Sequence, residues 1–491
     1  MALFLFLVIV AIVLGLIGWV VHGLGYLLVI GVVVLVVDIV FGLVRLARRG
    51  RGVGSDDGTR RGPRPLRGAC RPVRPRHAPA LPRRRPGGGR PAGPGPLRAV
   101  EGVLPAVGRR GGRPGQRAVF TPDAAYPFVS EAQGYGLVIT ALMAGADPDA
   151  HALFDGILRY VLAHPSVHHP DLHAAQQDAG GRDVGGRDSA TDGDLDIAYG
   201  LLLADRQWGS GHGGCGGHDD YGGYDHDDYD HDHDYGYDYE ALAVRRIDAV
   251  MECEVHPTTR LTRLGDWSSG RYDEVSRTSD WMPDHFRAFR AATGDPRWDE
   301  VLDAHLSLTG ELHARHAPAT GLLPDFVVDT TSGEPRPAPG QVLESPHDGD
   351  YHWNACRAPW RLGADAVTSG DARTRAAARG LSRWARAATG GDPGRIRSGY
   401  RLDGTAYGDP GSPAFFAPFA VAALTEGADE GGDEGEGADE GADHEEAGAA
   451  QGWLDALWAR MCAAPPDPAR AYAAGVQLQS MLVVSHNYWV P

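Results

Sequence analysis

The 491-residue chain contains no lysine, so all 47 of its basic residues are arginine. It has only five cysteines, which are scattered and show no Cys-x-x-Cys spacing: Cys70, Cys215, Cys253, Cys356 and Cys462. An odd number of scattered cysteines argues against a disulfide framework, and the missing pairs argue against a structural zinc site. Stability must therefore come from a hydrophobic core, which the 43% of hydrophobic residues can supply.

Charge of each sign is concentrated in separate parts of the chain. Residues 47–117 are rich in arginine, whereas the runs 218–240 and 426–446 are acidic and contain no arginine. Such compositions cannot bury enough apolar surface to fold. We therefore expect a disordered Arg/Pro/Gly-rich linker at 47–118 and low-complexity acidic insertions at 209–240 and 426–446. The histidines of the first insertion permit weak binding of divalent ions, but a solvated loop is the simpler interpretation, and we expect no metal site.

Residues 1–46 contain two long apolar stretches, Leu3 to Val21 and Leu27 to Val44, separated by a His-Gly pair. Each is about long enough to cross the ~30 Å hydrocarbon core of a bilayer. The sequence therefore predicts one or two transmembrane helices and a lipid bilayer as partner. Arginines follow the second stretch immediately, which favours a cytoplasmic end there.

The residues from 119 to 491, apart from the insertions, show helical patterns far more often than strand patterns. Leu195, Ala198 and Leu202 recur on one face of a helix that ends near Trp208. Pro359 suits the first turn of another helix. The predicted fold class is therefore all-α.

Two predicted helices begin with carboxylates. Ser130 and Gln133 form a capping-box pattern, which places Glu131 in the first turn of one helix. The helix dipole alone accounts for an acid at this position and lowers its pKa, so a proton donor here needs burial or nearby carboxylates to raise the pKa. In the second helix Asp192 and Asp196 share one face, and the intervening acid points elsewhere.

These segments resemble successive motifs of glycoside hydrolase family 8, in that family's order, over roughly residues 120–491. The matching strings are SEAQGYG, DSATDGDLDIAYGLLLADRQWG, RTSDWMPDHFRAFRAATGD, YHWNACRAPWRLGAD, LDGTAYGDPGSPAFFAPFAVAAL and LQSMLVVSHNYWVP. The resemblance implies an (α/α)6 barrel that hydrolyses β-1,4 linkages of a polysaccharide with inversion, as a monomeric catalytic domain without a cofactor. It implies no nucleic-acid partner.

The resemblance also assigns roles to the acids. Inverting glycosidases use one carboxylic acid to protonate the leaving oxygen and a second carboxylate, about 6.5–9.5 Å away, to activate water. By position, Glu131 matches the general acid, and Asp192 matches the acid that grips and distorts the sugar at the cleavage point.

The general base departs from the usual pattern of this family. Many members have Asp where this chain has Asn354, and an amide cannot accept the proton at neutral pH. The chain resembles the branch that has Asn here and takes its base from a Glu in the preceding loop. That position is Glu344, with Asp348 and Asp350 as alternatives in the same loop.

Aromatic and charged residues beside these acids are candidates for sugar binding, because flat rings stack on the faces of pyranose rings. The candidates are Tyr135, Asp194, Trp208, Arg277, Asp280, Trp281, Tyr351, Asn354, Arg357 and Tyr407. Core packing is the alternative for the aromatic residues, which also include Trp267, Trp353 and Trp360. Arg277 and Asp280 alternatively pair with each other, and Arg357 alternatively orients the acids.

The predicted function is an endo-acting glycanase for β-glucan, cellulose-type glucan or chitosan. The alternative is an inactive membrane-tethered glycan-binding or envelope protein on the same scaffold, which Asn354 and the two insertions motivate. A polymeric substrate favours an extracellular catalytic domain, whereas the arginines after the second apolar stretch favour the cytoplasm. The sequence leaves this localisation open.

Overall fold

The structure is a computed structural model that describes residues 109–110, 115–122, 124–210, 236–426 and 440–491. The predicted transmembrane segment 1–46, most of the linker 47–118 and most of the first acidic insertion lie outside these residues. Within the described ranges, no helix combines the length and the apolar character needed to cross a bilayer.

The α-helices account for half of the described residues and the strands are all short, and this confirms the prediction of an all-α catalytic domain. They are α1 Ser130–Leu142, α2 Ala150–Ala163, α3 Thr191–Trp208, α4 Tyr239–Cys253, α5 Pro283–Thr293, α6 Arg297–His316, α7 Ala358–Ser369, α8 Ala372–Thr389, α9 Pro413–Ala423, α10 Glu440–Ala463 and α11 Ala471–Val484. The end of α3 at Trp208 and the place of Pro359 in the first turn of α7 agree with the predictions from the sequence.

The odd-numbered helices form a closed ring, because each contacts the next and α11 returns to α1. Each even-numbered helix packs against the odd-numbered helix that precedes it. The apolar helix α9 is buried from Ala414 to Ala423, as a helix of an inner layer must be. The described residues thus contain six inner helices and five outer helices, in the alternation that an (α/α)6 barrel requires.

Short antiparallel strands lie in the loops between the helices. The pairs are β1 Arg109–Arg110 with β2 Arg117–Ala118, β3 Phe128–Val129 with β4 Gln176–Gln177, β5 Ser276–Arg277 with β6 Phe326–Val328, β6 with β7 Arg336–Pro337, and β8 Arg397–Tyr400 with β9 Ala406–Pro410. Strand β2 packs on α2, and Ala118 is fully buried. The ordered domain therefore starts before the predicted boundary at 118.

The second acidic insertion is shorter than predicted. Glu426 is buried, and its carboxylate accepts hydrogen bonds from Ser382 and, at 2.9 Å, from Arg386. Helix α10 already begins at Glu440. The predicted range 426–446 is therefore wrong at both ends, because Glu426 belongs to the core and the last residues of the run are helical.

Candidate active site

Helices α1 and α3 approach each other closely because glycines lie at their crossing. A Cβ on Gly134 would lie 2.7 Å from the Cβ of Asp196, and a Cβ on Gly200 would lie 2.8 Å from a side chain of α1. Real Cβ atoms do not approach other atoms this closely, so neither position accepts a larger residue without movement of a helix. The crossing brings the first turns of both helices, and with them Glu131 and Asp192, to the same end of the ring.

The start of α1 differs from the predicted capping box. Val129 is the N-cap, and no side chain caps the helix. The side chain of Gln133 instead bonds the backbone of Val119, as acceptor from its N–H at 2.8 Å and as donor to its carbonyl at 3.0 Å. Ser130 is the first helical residue, and Glu131 nevertheless lies in the first turn as predicted.

A cavity of about 660 Å³ opens above these first turns. Its charged and amide-bearing lining residues are Glu131, Gln176, Asp192, Arg277, Glu344, Asn354 and Arg357. Its aromatic lining residues are Tyr135, Trp353 and Tyr472. Part of the lining is therefore charged, whereas rings, aliphatic side chains and a few uncharged polar side chains cover the rest.

Arg357 lies buried at the bottom of the charged part of the lining and contacts two of its acids. Its Nη1 donates to Glu131 and, at 3.1 Å, to Oδ2 of Asp192. Its Nη2 donates to Oδ1 of Asn354 at 2.9 Å. The fork of the guanidinium therefore fixes the relative positions of these three side chains.

Arg277 continues this network to the third acid. Its Nη2 lies 3.0 Å from Oδ1 of Asp192, and its Nη1 lies 3.6 Å from Oε1 of Glu344. The amide of Asn354 donates to Oε2 of Glu344 at 2.8 Å. Glu131 and Glu344 thus belong to one continuous network of alternating carboxylates and guanidinium groups.

The environment gives Glu131 and Asp192 opposite acidities. Burial, with a further contribution from Asp192, raises the pKa of Glu131 to about 7, although Arg357 opposes the shift. Burial also disfavours the charged form of Asp192, but Arg277 and Arg357 outweigh it and hold the pKa of Asp192 below its usual value. Near neutral pH the site therefore combines a carboxyl that can carry a proton with one that stays ionised.

Of the three acids in the loop before Asn354, only Glu344 lines the cavity. Asp348 is fully buried. Its carboxylate accepts hydrogen bonds from the backbone N–H groups of Val342, Leu343, Glu344 and Ser345. Asp350 pairs with His347 at 2.9 Å. Asp348 therefore shapes the loop that presents Glu344, and neither alternative faces the cavity.

The structure places several predicted sugar-binding residues in the interior rather than at the cavity. Asp194 is fully buried and bonds the Arg246 side chain and the backbone N–H of His173. Asp280 is also buried, and its carboxylate lies 3.0 Å from Nε of Arg277. Asp194 thus packs behind α3, and Asp280 acts on the cavity only through Arg277.

The predicted aromatic contacts need a similar correction. Trp208 stacks on the ring of His151 at 4.5 Å, and Tyr407 stacks on His347 at 4.4 Å. Trp281 and Tyr351 are buried in the core. None of the four lines the cavity. The prediction failed because spacing along the chain does not distinguish a ring in the core from a ring in a cleft. Core packing, the alternative from the sequence, describes Trp281 and Tyr351, whereas Trp208 packs half-buried against the core and Tyr407 is half-buried against His347.

Two further rings line the cavity: Trp353, which the sequence offered among the aromatic residues beside the acids, and Tyr472, which it did not. Trp353 is 41% exposed, and its backbone carbonyl accepts a hydrogen bond from the hydroxyl of Tyr472 at 2.6 Å. The guanidinium of Arg357 lies 5.6 Å from the centre of the Tyr472 ring. Trp353 directly precedes Asn354, so the sequence indicated that its ring could lie at the site. Tyr472 lies on α11, far along the chain from the acids, so nothing in the sequence indicated that its ring lines the cavity.

Comparison with known proteins identifies relatives of the whole described domain. The family model "Glycosyl hydrolases family 8" matches residues 110–214. The chain is 36% identical to a "Beta-glucanase" of Niallia circulans, over 74% of this chain and 77% of that protein. It is 32% identical to an "Endoglucanase" of Bacillus sp. (strain KSM-330), over 75% of this chain and 69% of that protein. The solved beta-1,3-1,4-glucanase from Paenibacillus sp.X4 superposes with a TM-score of 0.69 at 34% identity, over 81% of this chain and 92% of that one.

Proposed function

Because the chain belongs to glycosyl hydrolases family 8 and is a glycoside hydrolase, we propose that it cleaves β-1,4 linkages within a mixed-linkage β-glucan, with inversion. The observation that carries this proposal is that Glu131 and Glu344 line one cavity and are joined through Asp192 and two arginines. The names of the relatives, a beta-glucanase and a beta-1,3-1,4-glucanase, support the choice of glucan.

In this mechanism Glu131 acts on the leaving oxygen and Glu344 acts on the attacking water, in one displacement at the anomeric carbon. Glu131 gives its proton to the glycosidic oxygen while the bond from that oxygen to the anomeric carbon breaks. A water on the opposite face of the sugar attacks the anomeric carbon and gives its proton to the Glu344 carboxylate. The step leaves Glu131 ionised and Glu344 protonated, and exchange with solvent restores both.

Asp192 and Asn354 support the two proton-transfer groups. The depressed pKa of Asp192 keeps it ionised, so it can accept hydrogen bonds from sugar hydroxyls at the cleavage point. The amide of Asn354 donates to Oε2 of Glu344, and in this proposal Oε1, which lies 3.6 Å from Nη1 of Arg277, accepts the proton of the attacking water. In this proposal Asn354 orients the base and does not replace it.

The charge of the cavity favours a neutral glucan over chitosan. Each of its three carboxylates lies within 3.6 Å of a guanidinium nitrogen of Arg277 or Arg357. An ammonium group on the sugar would lie close to both guanidinium groups without an unpaired carboxylate to bind it. We therefore place mixed-linkage β-glucan first among the candidate substrates, cellulose-type glucan second and chitosan last.

The test measures reducing ends released by the full chain from mixed-linkage β-glucan, carboxymethylcellulose and chitosan, with NMR detection of the anomer formed first. We expect the fastest release from mixed-linkage β-glucan, a rapid fall in viscosity and initial formation of the α-anomer. Initial β-anomer would contradict inversion. A folded protein that binds β-glucan and releases no reducing ends would favour the glycan-binding alternative.

We also propose that residues 2–46 anchor the chain in a membrane with the catalytic domain outside the cell, and that this domain is monomeric. The apolar stretches support the anchor, and the polymeric substrate supports the external location. Protease treatment of intact cells tests it: we expect external protease to digest the catalytic domain. Protection until the cells are lysed would place that domain inside.

A further inference from the structure

Asp325 lies directly before β6 and has a buried carboxylate that does not line the cavity. Its Oδ1 accepts hydrogen bonds from the backbone N–H groups of His352 at 3.0 Å, Asn354 at 3.1 Å and Ala355 at 2.7 Å. These donors belong to the turn that leads into α7 and carries Asn354 and Arg357 to the cavity. Three backbone donors on one carboxyl oxygen fix the position of this turn, and they do so in either protonation state of Asp325, whose pKa burial raises to about 8.

The peptide groups of Asp325 bond two other segments of the site. Its carbonyl accepts a hydrogen bond from the N–H of Thr278 at 3.0 Å, and Thr278 directly follows Arg277. Its own N–H donates to the carbonyl of Asp350 at 2.8 Å, and Asp350 lies in the loop that carries Glu344. Asp325 is therefore bonded at once to the three segments that carry the charged network.

We propose that Asp325 is a positioning residue for the hydrolysis, which holds the strand with Arg277, the loop with Glu344 and the turn with Arg357 in one arrangement. The inference rests on the proposed function, since it concerns the groups that carry out that reaction. If the turn moved, the contact of Arg357 with Glu131 and the support of the base would both change. A displacement of about 1 Å in such an arrangement lowers the rate by about 10²-fold.

A positioning role differs in one measurable way from a purely structural role. Arg357 lowers the pKa of Glu131 in the intact site. If loss of the Asp325 carboxylate lets Arg357 move away, the pKa of Glu131 rises, and the alkaline limb of the pH–rate profile moves to higher pH. A variant that is merely less stable, with an intact site in its folded fraction, keeps the alkaline limb of the parent.

The experiment compares Asp325→Ala and Asp325→Asn in the full chain, with Asp329→Asn as the matched control. Asp329 follows β6, pairs with Arg336 at 2.7 Å and has a positive φ, which Asn tolerates. We expect Asp325→Ala to lower kcat by about 10²-fold, to change KM by less than about threefold and to raise the alkaline limb. The amide oxygen of Asp325→Asn still accepts hydrogen bonds from the N–H groups, so the kcat of this variant should lie within about tenfold of the parent. The Asp329→Asn control should match the parent.

Several outcomes would overturn the inference. A folded Asp325→Ala protein with a kcat within about threefold of the parent excludes positioning, and so does a slow variant with an unmoved alkaline limb. If Asp325→Ala does not fold, Asp325→Ser replaces it, because the shorter Ser side chain cannot reach all three N–H groups: a lower kcat with a raised alkaline limb supports the inference, and parental values refute it. A parent inactive on every β-glucan removes the proposed function itself, whereas an active parent with unaffected variants removes only this inference.

Discussion

At the scale of single residues, the site depends on opposite environments for similar carboxyl groups. Glu131 is held by one guanidinium nitrogen in a buried setting, whereas Asp192 is held by both Arg277 and Arg357. The resemblance to the family predicted which acids meet at the cavity. The sequence offered Arg357 as a residue that orients the acids, but it did not predict that Arg277 would extend this network to Glu344, because a pairing between distant segments leaves no local pattern.

The pKa of Glu131 leads to a prediction for the pH dependence of the reaction. The general acid must be protonated, and burial raises the pKa of Glu131 to about 7. The value of kcat/KM for β-glucan should therefore fall above about pH 7, by about tenfold for each further pH unit. A pH–rate profile between pH 4 and 10 checks this. A rate that stays constant up to pH 9 would mean that Glu131 is not the proton donor.

At the scale of helices, glycine spacing explains more of the site than helix capping does. The sequence predicted the end of α3 and the start of α7, because glycine and proline mark the ends of helices locally. The capping box failed at α1, because Gln133 has a partner in a distant loop at Val119 that no local pattern reveals. The close crossing of α1 and α3 likewise depends on glycines that the sequence alone presents as weak points in a helix.

The crossing predicts a large effect of a single methyl group. Gly134→Ala would place a Cβ 2.7 Å from that of Asp196, and overpacking of this kind costs about 1–3 kcal/mol. We expect a lower midpoint of thermal unfolding and, because Glu131 lies in the adjacent turn, a lower kcat. Gly310→Ala in α6 is the control: nothing lies within 4 Å of its Cβ position, and it should gain about 0.5–1 kcal/mol. Equal effects of the two substitutions would contradict this view of the crossing.

At the scale of the whole molecule, the interior of the ring contains carboxyl groups with shifted pKa values in both directions. Burial raises the pKa of Asp194 to about 7 and that of Asp280 to about 6. Asp284 is also buried, but the neighbouring His285 lowers its pKa to about 2. The sequence showed the acids and offered the pair of Arg277 with Asp280, whereas the pairs of Asp194 with Arg246 and of Asp284 with His285 became visible only in the folded chain.

These shifts predict how stability depends on pH. A carboxyl with a raised pKa binds its proton in the folded state after the unfolded chain has released it, so Asp194, Asp280 and Glu131 lower stability as the pH rises from about 4 to 7. Asp284 and Asp192 act in the opposite sense and lose their contribution as the pH falls below about 4. We expect the midpoint of thermal unfolding to be highest in mildly acidic buffer and to decline towards pH 8. A midpoint that rises steadily from pH 5 to 8 would contradict this assignment.

The central claim is that Glu344 is the base, and the most direct test is the kcat of Glu344→Gln on mixed-linkage β-glucan, beside Asp350→Asn from the same loop. The amide is nearly isosteric and cannot accept a proton, so kcat should fall by about 10²–10⁴-fold, while Asp350→Asn keeps kcat within about tenfold of the parent. A Glu344→Gln protein within about tenfold of the parent, or a larger loss in Asp350→Asn, would contradict the account.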